Sequence, residues 1–154
     1  MTKPPFVSYV LTLILIFSGI APFAQQRDDV SSRAESRLRC RESITVRREA
    51  PPQEGADPLG AGPWYINADS TIWALKQKWQ PGTPMKTAWI RPAGATLRVT
   101  GRRLDGDAPA MQAAIPARYS SGFQPSRLMF PTIGCWEVTA TADDKTLVFV
   151  TLIS

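Results

Sequence analysis

Ile133-Gly134-Cys135-Trp136-Glu137-Val138-Thr139-Ala140-Thr141 and Thr146-Leu147-Val148-Phe149-Val150-Thr151-Leu152-Ile153 decide how this chain folds. Between them stands Ala142-Asp143-Asp144-Lys145, a short acidic turn. Both runs are rich in β-branched residues and alternate in polarity, which predicts an antiparallel hairpin. Successive side chains of a strand face opposite sides. Trp136, Val138 and Ala140 therefore share one face, and Cys135, Glu137, Thr139 and Thr141 share the other. The first set is the natural core face. Upstream, Phe130-Pro131-Thr132-Ile133-Gly134 supplies a Pro-x-x-Gly turn that leads into the first of these strands.

Further short apolar runs separated by turn residues lie N-terminal to this hairpin. Strands are expected at Ser43 to Arg48, Trp64 to Ile66, Thr71 to Leu75, Met85 to Ile90, Ala95 to Leu104 and Phe123 to Phe130. Ala50 to Pro63 is rich in proline and glycine and reads as a loop. Asp105 to Ala117 reads as an irregular crossing, with at most one helical turn at Met111 to Ala114. No stretch in this part of the chain shows sustained helical periodicity. The expected fold is all-β: an immunoglobulin-like antiparallel sandwich of about seven to eight short strands. Residues 63–154 would form the domain. A polar arm, 25–62, would precede it.

The N-terminus reads as an export signal. Lys3 supplies positive charge, Phe6 to Ile20 is apolar, and Ala21-Pro22-Phe23-Ala24 resembles a cleavage region. Residues 1–24 are read as a signal peptide. The alternative is an uncleaved anchor over residues 6–23, although the apolar run is short of the roughly twenty residues that span a bilayer. Export would place the protein in the periplasm or outside the cell. There Cys40 and Cys135, the only two cysteines, would be each other's only disulfide partners. With Cys135 facing away from the core, the bridge would pin the segment around Cys40 onto the outside of the sheet.

The formal net charge is +5, but it is not concentrated: Arg27 to Asp57 holds seven arginines and seven acidic residues. A nucleic-acid arm would lack those acids, so nucleic acid is excluded as the expected partner. A membrane would be met only through the N-terminal segment, if it is not cleaved.

Cys40, Trp64-Tyr65, Ile72-Trp73, Trp89-Ile90-Arg91, Val99-Thr100-Gly101-Arg102-Arg103-Leu104-Asp105, Gly122-Phe123-Gln124, Phe130-Pro131 and Gly134-Cys135-Trp136-Glu137-Val138-Thr139 follow one another in that order. In this the chain, from about Cys40 to Ile153, resembles a family of uncharacterised bacterial exported proteins. The resemblance implies a compartment and a fold but no activity. The chain departs from the pattern at Arg41-Glu42-Ser43, where Pro-Val-Thr is expected. It departs again at Ile66-Asn67-Ala68-Asp69, where a Gly-Asn pair is commoner.

The sequence contains no histidine. Ser-His-Asp and Cys-His catalysis are therefore excluded, as is a histidine-ligated zinc. No phosphate loop, nucleophile elbow or Ser-x-x-Lys occurs. Asp105-Gly106-Asp107 opens like a calcium loop but lacks its further ligands. No catalytic residue, metal or cofactor is expected.

Aromatic and basic residues remain as candidates. Trp136 and Trp73 read as core. Trp64 and Tyr65 are adjacent, so an extended backbone turns them opposite ways and leaves one free to be exposed. Arg98 and Arg102 share a strand face that Arg103 does not. Trp64, Tyr65, Arg98 and Arg102 form the expected binding surface. The expected role is a non-catalytic module of the cell envelope that binds a protein or is structural. The alternatives are a carbohydrate-binding module using exposed Trp and Tyr, and a hydrolase using paired carboxylates.

Overall fold

The computed structural model describes residues 40–52, 59–117 and 119–154. The expected signal peptide at 1–24, the alternative anchor and the first part of the polar arm lie outside these residues. Nine strands form, and no helix, among the described residues. They are β1 Val46–Glu49, β2 Ala61–Ile66, β3 Trp73–Leu75, β4 Met85–Ile90, β5 Leu97–Arg103, β6 Gln112–Ala114, β7 Phe123–Met129, β8 Gly134–Ala142 and β9 Lys145–Ile153. The strand not anticipated is β6. Instead of a helical turn at Met111 to Ala114, Gln112–Ala114 pairs antiparallel with β7.

The C-terminal hairpin folds as its alternation requires. Ala142 pairs with Lys145, so the turn narrows to Asp143-Asp144. Asp143 takes a positive φ of 52°, which Asp tolerates better than most residues. Trp136, Val138, Ala140 and Ala142 all face inward and are buried. Beside them run β5 and β9, giving a three-stranded sheet ordered β5-β8-β9. The opposing six-stranded sheet is ordered β1-β2-β3-β4-β7-β6.

This is immunoglobulin topology. Taken as A to G, strands β3 to β9 give A-B-E-D in one sheet and C-F-G in the other. β1 and β2 extend the larger sheet beyond its A strand. The larger sheet thus draws on chain ahead of residue 63.

Aromatic rings bind the layers together. Tyr65 of the large sheet stacks on Phe149 of the small one, with centroids 4.1 Å apart and planes 8° apart. Trp79, Phe130 and Trp136 form a second line, at 5.1 and 5.5 Å. Alanines at 74, 140 and 142 are buried in the same core and give these large rings room.

Gly134 shows why β8 begins with glycine. Its φ is +135°, and a Cβ there would stand 2.5 Å from Arg103 Nε and 2.7 Å from Asp105 Oδ1. Arg103 and Asp105 form an ion pair at 2.7 Å that rests directly on this bare backbone. The Arg-Leu-Asp and Gly-Cys-Trp phrases are therefore one structural junction.

Cys40 is bonded to Cys135 with a Cα separation of 5.3 Å, across 95 positions of chain. The bridge lies on the outer face of β8, as the strand alternation predicts, not across the core. From there the chain runs along the free edge of β9. Ser43 N–H donates to the Val150 carbonyl (2.9 Å), and Val150 N–H donates back to Ser43 Oγ (2.8 Å). Leu152 N–H donates to the Glu42 carboxylate at 3.0 Å. An edge that would otherwise be open to pairing with another chain is covered there. The expected strand at Ser43 to Arg48 is thus divided. Its first residues bond the small sheet, and β1 then joins the large one.

Candidate functional site

The residues chosen from sequence do not form one surface. Trp64 and Tyr65 do face opposite ways, but both are buried, at 0% and 1% exposure. Tyr65 enters the main core. Trp64 lies on the outer face of the large sheet in a second cluster with Trp73 and Ile90. Ala50 and Leu59, both from the Pro/Gly-rich stretch, pack over that cluster. Arg48 covers the Trp73 ring at 5.0 Å, and its carbonyl accepts the Trp64 indole N–H at 3.1 Å. The ring expected to be exposed is buried because Ala50 and Leu59 pack over its cluster. Trp73, Trp79, Trp89 and Trp136 are buried as well. The described residues therefore offer no tryptophan platform.

Arg98 and Arg102 do share the outer face of β5, as expected. Arg102 is bonded at 2.8 Å to Glu137, its cross-strand partner, while its side chain stays 71% exposed. This is a solvated ion pair on the small sheet, away from Trp64 and Tyr65 on the large one.

The structure brings a different set of cations together. On the outer face of the large sheet, Lys86 of β4 stands directly opposite Arg127 of β7. Arg127 in turn faces Ala114 of β6. Beside them opens a groove of about 490 Å³, walled by Ile115, Pro116, Tyr119 and Pro125. Its floor includes Ser126, whose hydroxyl accepts the Trp89 indole N–H at 2.8 Å. Tyr119 is partly exposed and meets Phe123 edge to face at 6.1 Å. Neither Lys86 nor Arg127 has a carboxylate partner among the described residues. The surface therefore joins two uncompensated cations to an aromatic and proline-lined wall.

A third cation lies behind that wall. Arg91 follows β4 and is only 4% exposed. Its Nη1 donates to the Pro92 carbonyl at 2.8 Å. Its Nη2 donates to the Tyr119 carbonyl and to Gln124 Oε1. Gln124 Nε2 donates to the carbonyls of Pro116 and Pro125, at 3.0 and 3.1 Å. Together the two side chains pin the loop after β6 to the ends of β4 and β7. Burial pulls the Arg91 guanidinium below its ordinary pKa, and the field of Asp143 works against that shift. Arg91 and Gln124 line a second cavity of about 270 Å³, which shares Ile115, Pro116 and Tyr119 with the groove.

Sequence reasoning chose Arg98 and Arg102 for the binding surface and gave Lys86 and Arg127 no role. One signal was present. After Trp89 inward and Ile90 outward, strand alternation turns Arg91 inward, an unusual place for a guanidinium. The Lys86–Arg127 pairing depends on register between distant strands, which a single sequence does not display.

By topology the protein belongs to the class of immunoglobulin-like sandwiches. Comparison of the sequence with protein-family models gives no match, and comparison with curated proteins gives none. Among solved structures, a candidate lipoprotein from Bacillus anthracis is similar at 12% identity, over 78% of this chain and 91% of that one, with a TM-score of 0.45. A likeness so remote carries no functional argument.

Proposed function

We propose that this chain is an exported, non-catalytic sandwich module of the cell envelope that binds an anionic partner through the β4–β7 face. The Lys86–Arg127 pair carries the reading. Like charges directly opposite in a ladder are destabilising, and no carboxylate among the described residues pairs with either. A partner's acidic groups would do so on binding. The Cys40–Cys135 bridge supports export, because such bonds persist in oxidising compartments. The expected signal segment and the resemblance to exported bacterial proteins point the same way.

The alternatives have weaker support. A carbohydrate-binding module needs exposed stacking rings, and the tryptophans are buried. A hydrolase with paired carboxylates needs acidic groups free to act on a substrate. Glu137, Asp105, Asp69 and Asp144 are each held by a cation.

Titration of the oxidised protein against poly-glutamate and neutral dextran at low ionic strength tests the reading. Binding to the polyanion alone, weakening as salt is added, is expected. Equal binding to both polymers, or to neither, would overturn it.

A further inference from the structure

We propose that the Arg91 cavity is an oxyanion subsite, taking one carboxylate or phosphate group of the bound partner. This rests on the anionic-partner reading for its biological setting, but its chemistry is independent of Lys86 and Arg127.

The argument begins with how the chain treats its other guanidinium groups. Arg102, largely exposed, is paired with Glu137. Arg103, largely buried, is paired with Asp105. Arg91 is more buried than either, yet its three acceptors are neutral: two backbone carbonyls and the Gln124 amide oxygen. The field of Asp143 reaches it without forming an ion pair, and a buried charge with no counter-charge in contact is costly unless fully hydrogen-bonded.

A guanidinium has five N–H donors. Three are engaged here. Among the described residues neither the Nε–H, which is closed off from solvent, nor one N–H of Nη1 has an acceptor, so the Nη1 N–H is the donor left for a ligand. The cavity that Arg91 lines holds about 270 Å³. A water molecule's share of liquid volume is about 30 Å³, so a small oxyanion fits with water to spare. Gln124 already orients the guanidinium, which would leave little ordering for a ligand to impose. The same cavity shares a wall with the groove. A chain lying along Lys86 and Arg127 could therefore place an anionic end group beside Arg91.

The test is proton–nitrogen NMR of the oxidised chain in low-salt buffer, titrated separately with inorganic phosphate and with acetate. Saturable shifts at the Arg91 Nε–H and the Gln124 side-chain amide are expected with at least one of the two anions. Their relative affinities identify the preferred oxyanion. Gln124→Glu places a carboxylate beside the guanidinium, gives up the two donors to Pro116 and Pro125, and should abolish the saturable shift in protein that its melt shows to be folded. Arg91→Lys should weaken it at least tenfold. If that variant does not fold, Gln124→Glu still decides. Lys86→Ala/Arg127→Ala should keep the small-anion shift even as polyanion binding falls, so the subsite and the face can fail separately. Linear, non-saturating shifts in the parent protein, or saturable shifts that persist in Gln124→Glu, would overturn the subsite and leave Arg91 as a loop clamp alone.

Discussion

Lys86 and Arg127 are cross-strand partners in the β4–β7 ladder, two cations held side by side with no acidic neighbour paired to either among the described residues. Elsewhere on the sandwich the same chemistry is neutralised. Arg102 opposite Glu137, in the β5–β8 ladder, makes an ion pair at 2.8 Å. The contrast separates a face whose charges satisfy one another from a face whose cations are unpaired among the described residues. Electrostatic attraction of this kind speeds encounter and weakens with salt.

The disulfide should supply a large share of stability. It closes a loop spanning 95 positions, for which the chain-entropy model gives about 4 to 5 kcal/mol. Urea melts of the oxidised and reduced protein should differ by about that amount. Thiol labelling of unreduced, natively exported material should find no free cysteine. Coincident melts, or two labelled thiols, would contradict the structure.

Strand faces set the cost of neighbouring substitutions in β8. Trp136 is fully buried against Phe130, so Trp136→Ala should cost about 3 to 5 kcal/mol. Glu137 faces outward in a solvated pair, and Glu137→Ala should cost less than about 1 kcal/mol. Trp64→Ala should behave like Trp136→Ala, because the second cluster encloses its ring. Comparable melts for all three variants would mean the faces are wrongly assigned.

Tyr65 should make the fold sensitive to alkali. Burial raises its phenol above the ordinary value of 10.0, while Thr151 and Lys76 pull it partly back. Its folded pKa therefore exceeds its unfolded pKa. Its contribution to stability is complete below pH 10 or so and is lost as pH rises through the folded value. Equilibrium unfolding followed upward from about pH 10, the ordinary value of a phenol, should show stability falling in the parent. Tyr65→Phe should flatten that fall. An unchanged alkaline slope in Tyr65→Phe would assign the titration to another group.

Much of the architecture was legible because a strand's period of two writes itself directly into sequence. Met85–Ile90 is bounded as its apolar run indicates, and Trp136 and Glu137 take the faces their alternation assigns. Short exposed elements were harder. β6 is three exposed residues with no pattern of its own, defined by its pairing with β7. The site was largely hidden. Trp64 looked available because nothing local shows that Ala50 and Leu59 return over it. Lys86 and Arg127 are forty-one positions apart, and only the β4–β7 register makes them neighbours.

The measurement that bears most directly on the account is a comparison of two double variants in binding poly-glutamate. Both pairs replace two exposed cations and should leave the melting temperature near the parent's. Lys86→Ala/Arg127→Ala should weaken binding at least about tenfold, which is about 1.4 kcal/mol, and should flatten the salt dependence. Arg98→Ala/Arg102→Ala, on the opposite sheet, should change affinity by less than about twofold, the scale of a solvated surface pair. A large loss from the Arg98 and Arg102 replacements with none from Lys86 and Arg127 would place the binding surface on the small sheet and contradict the account.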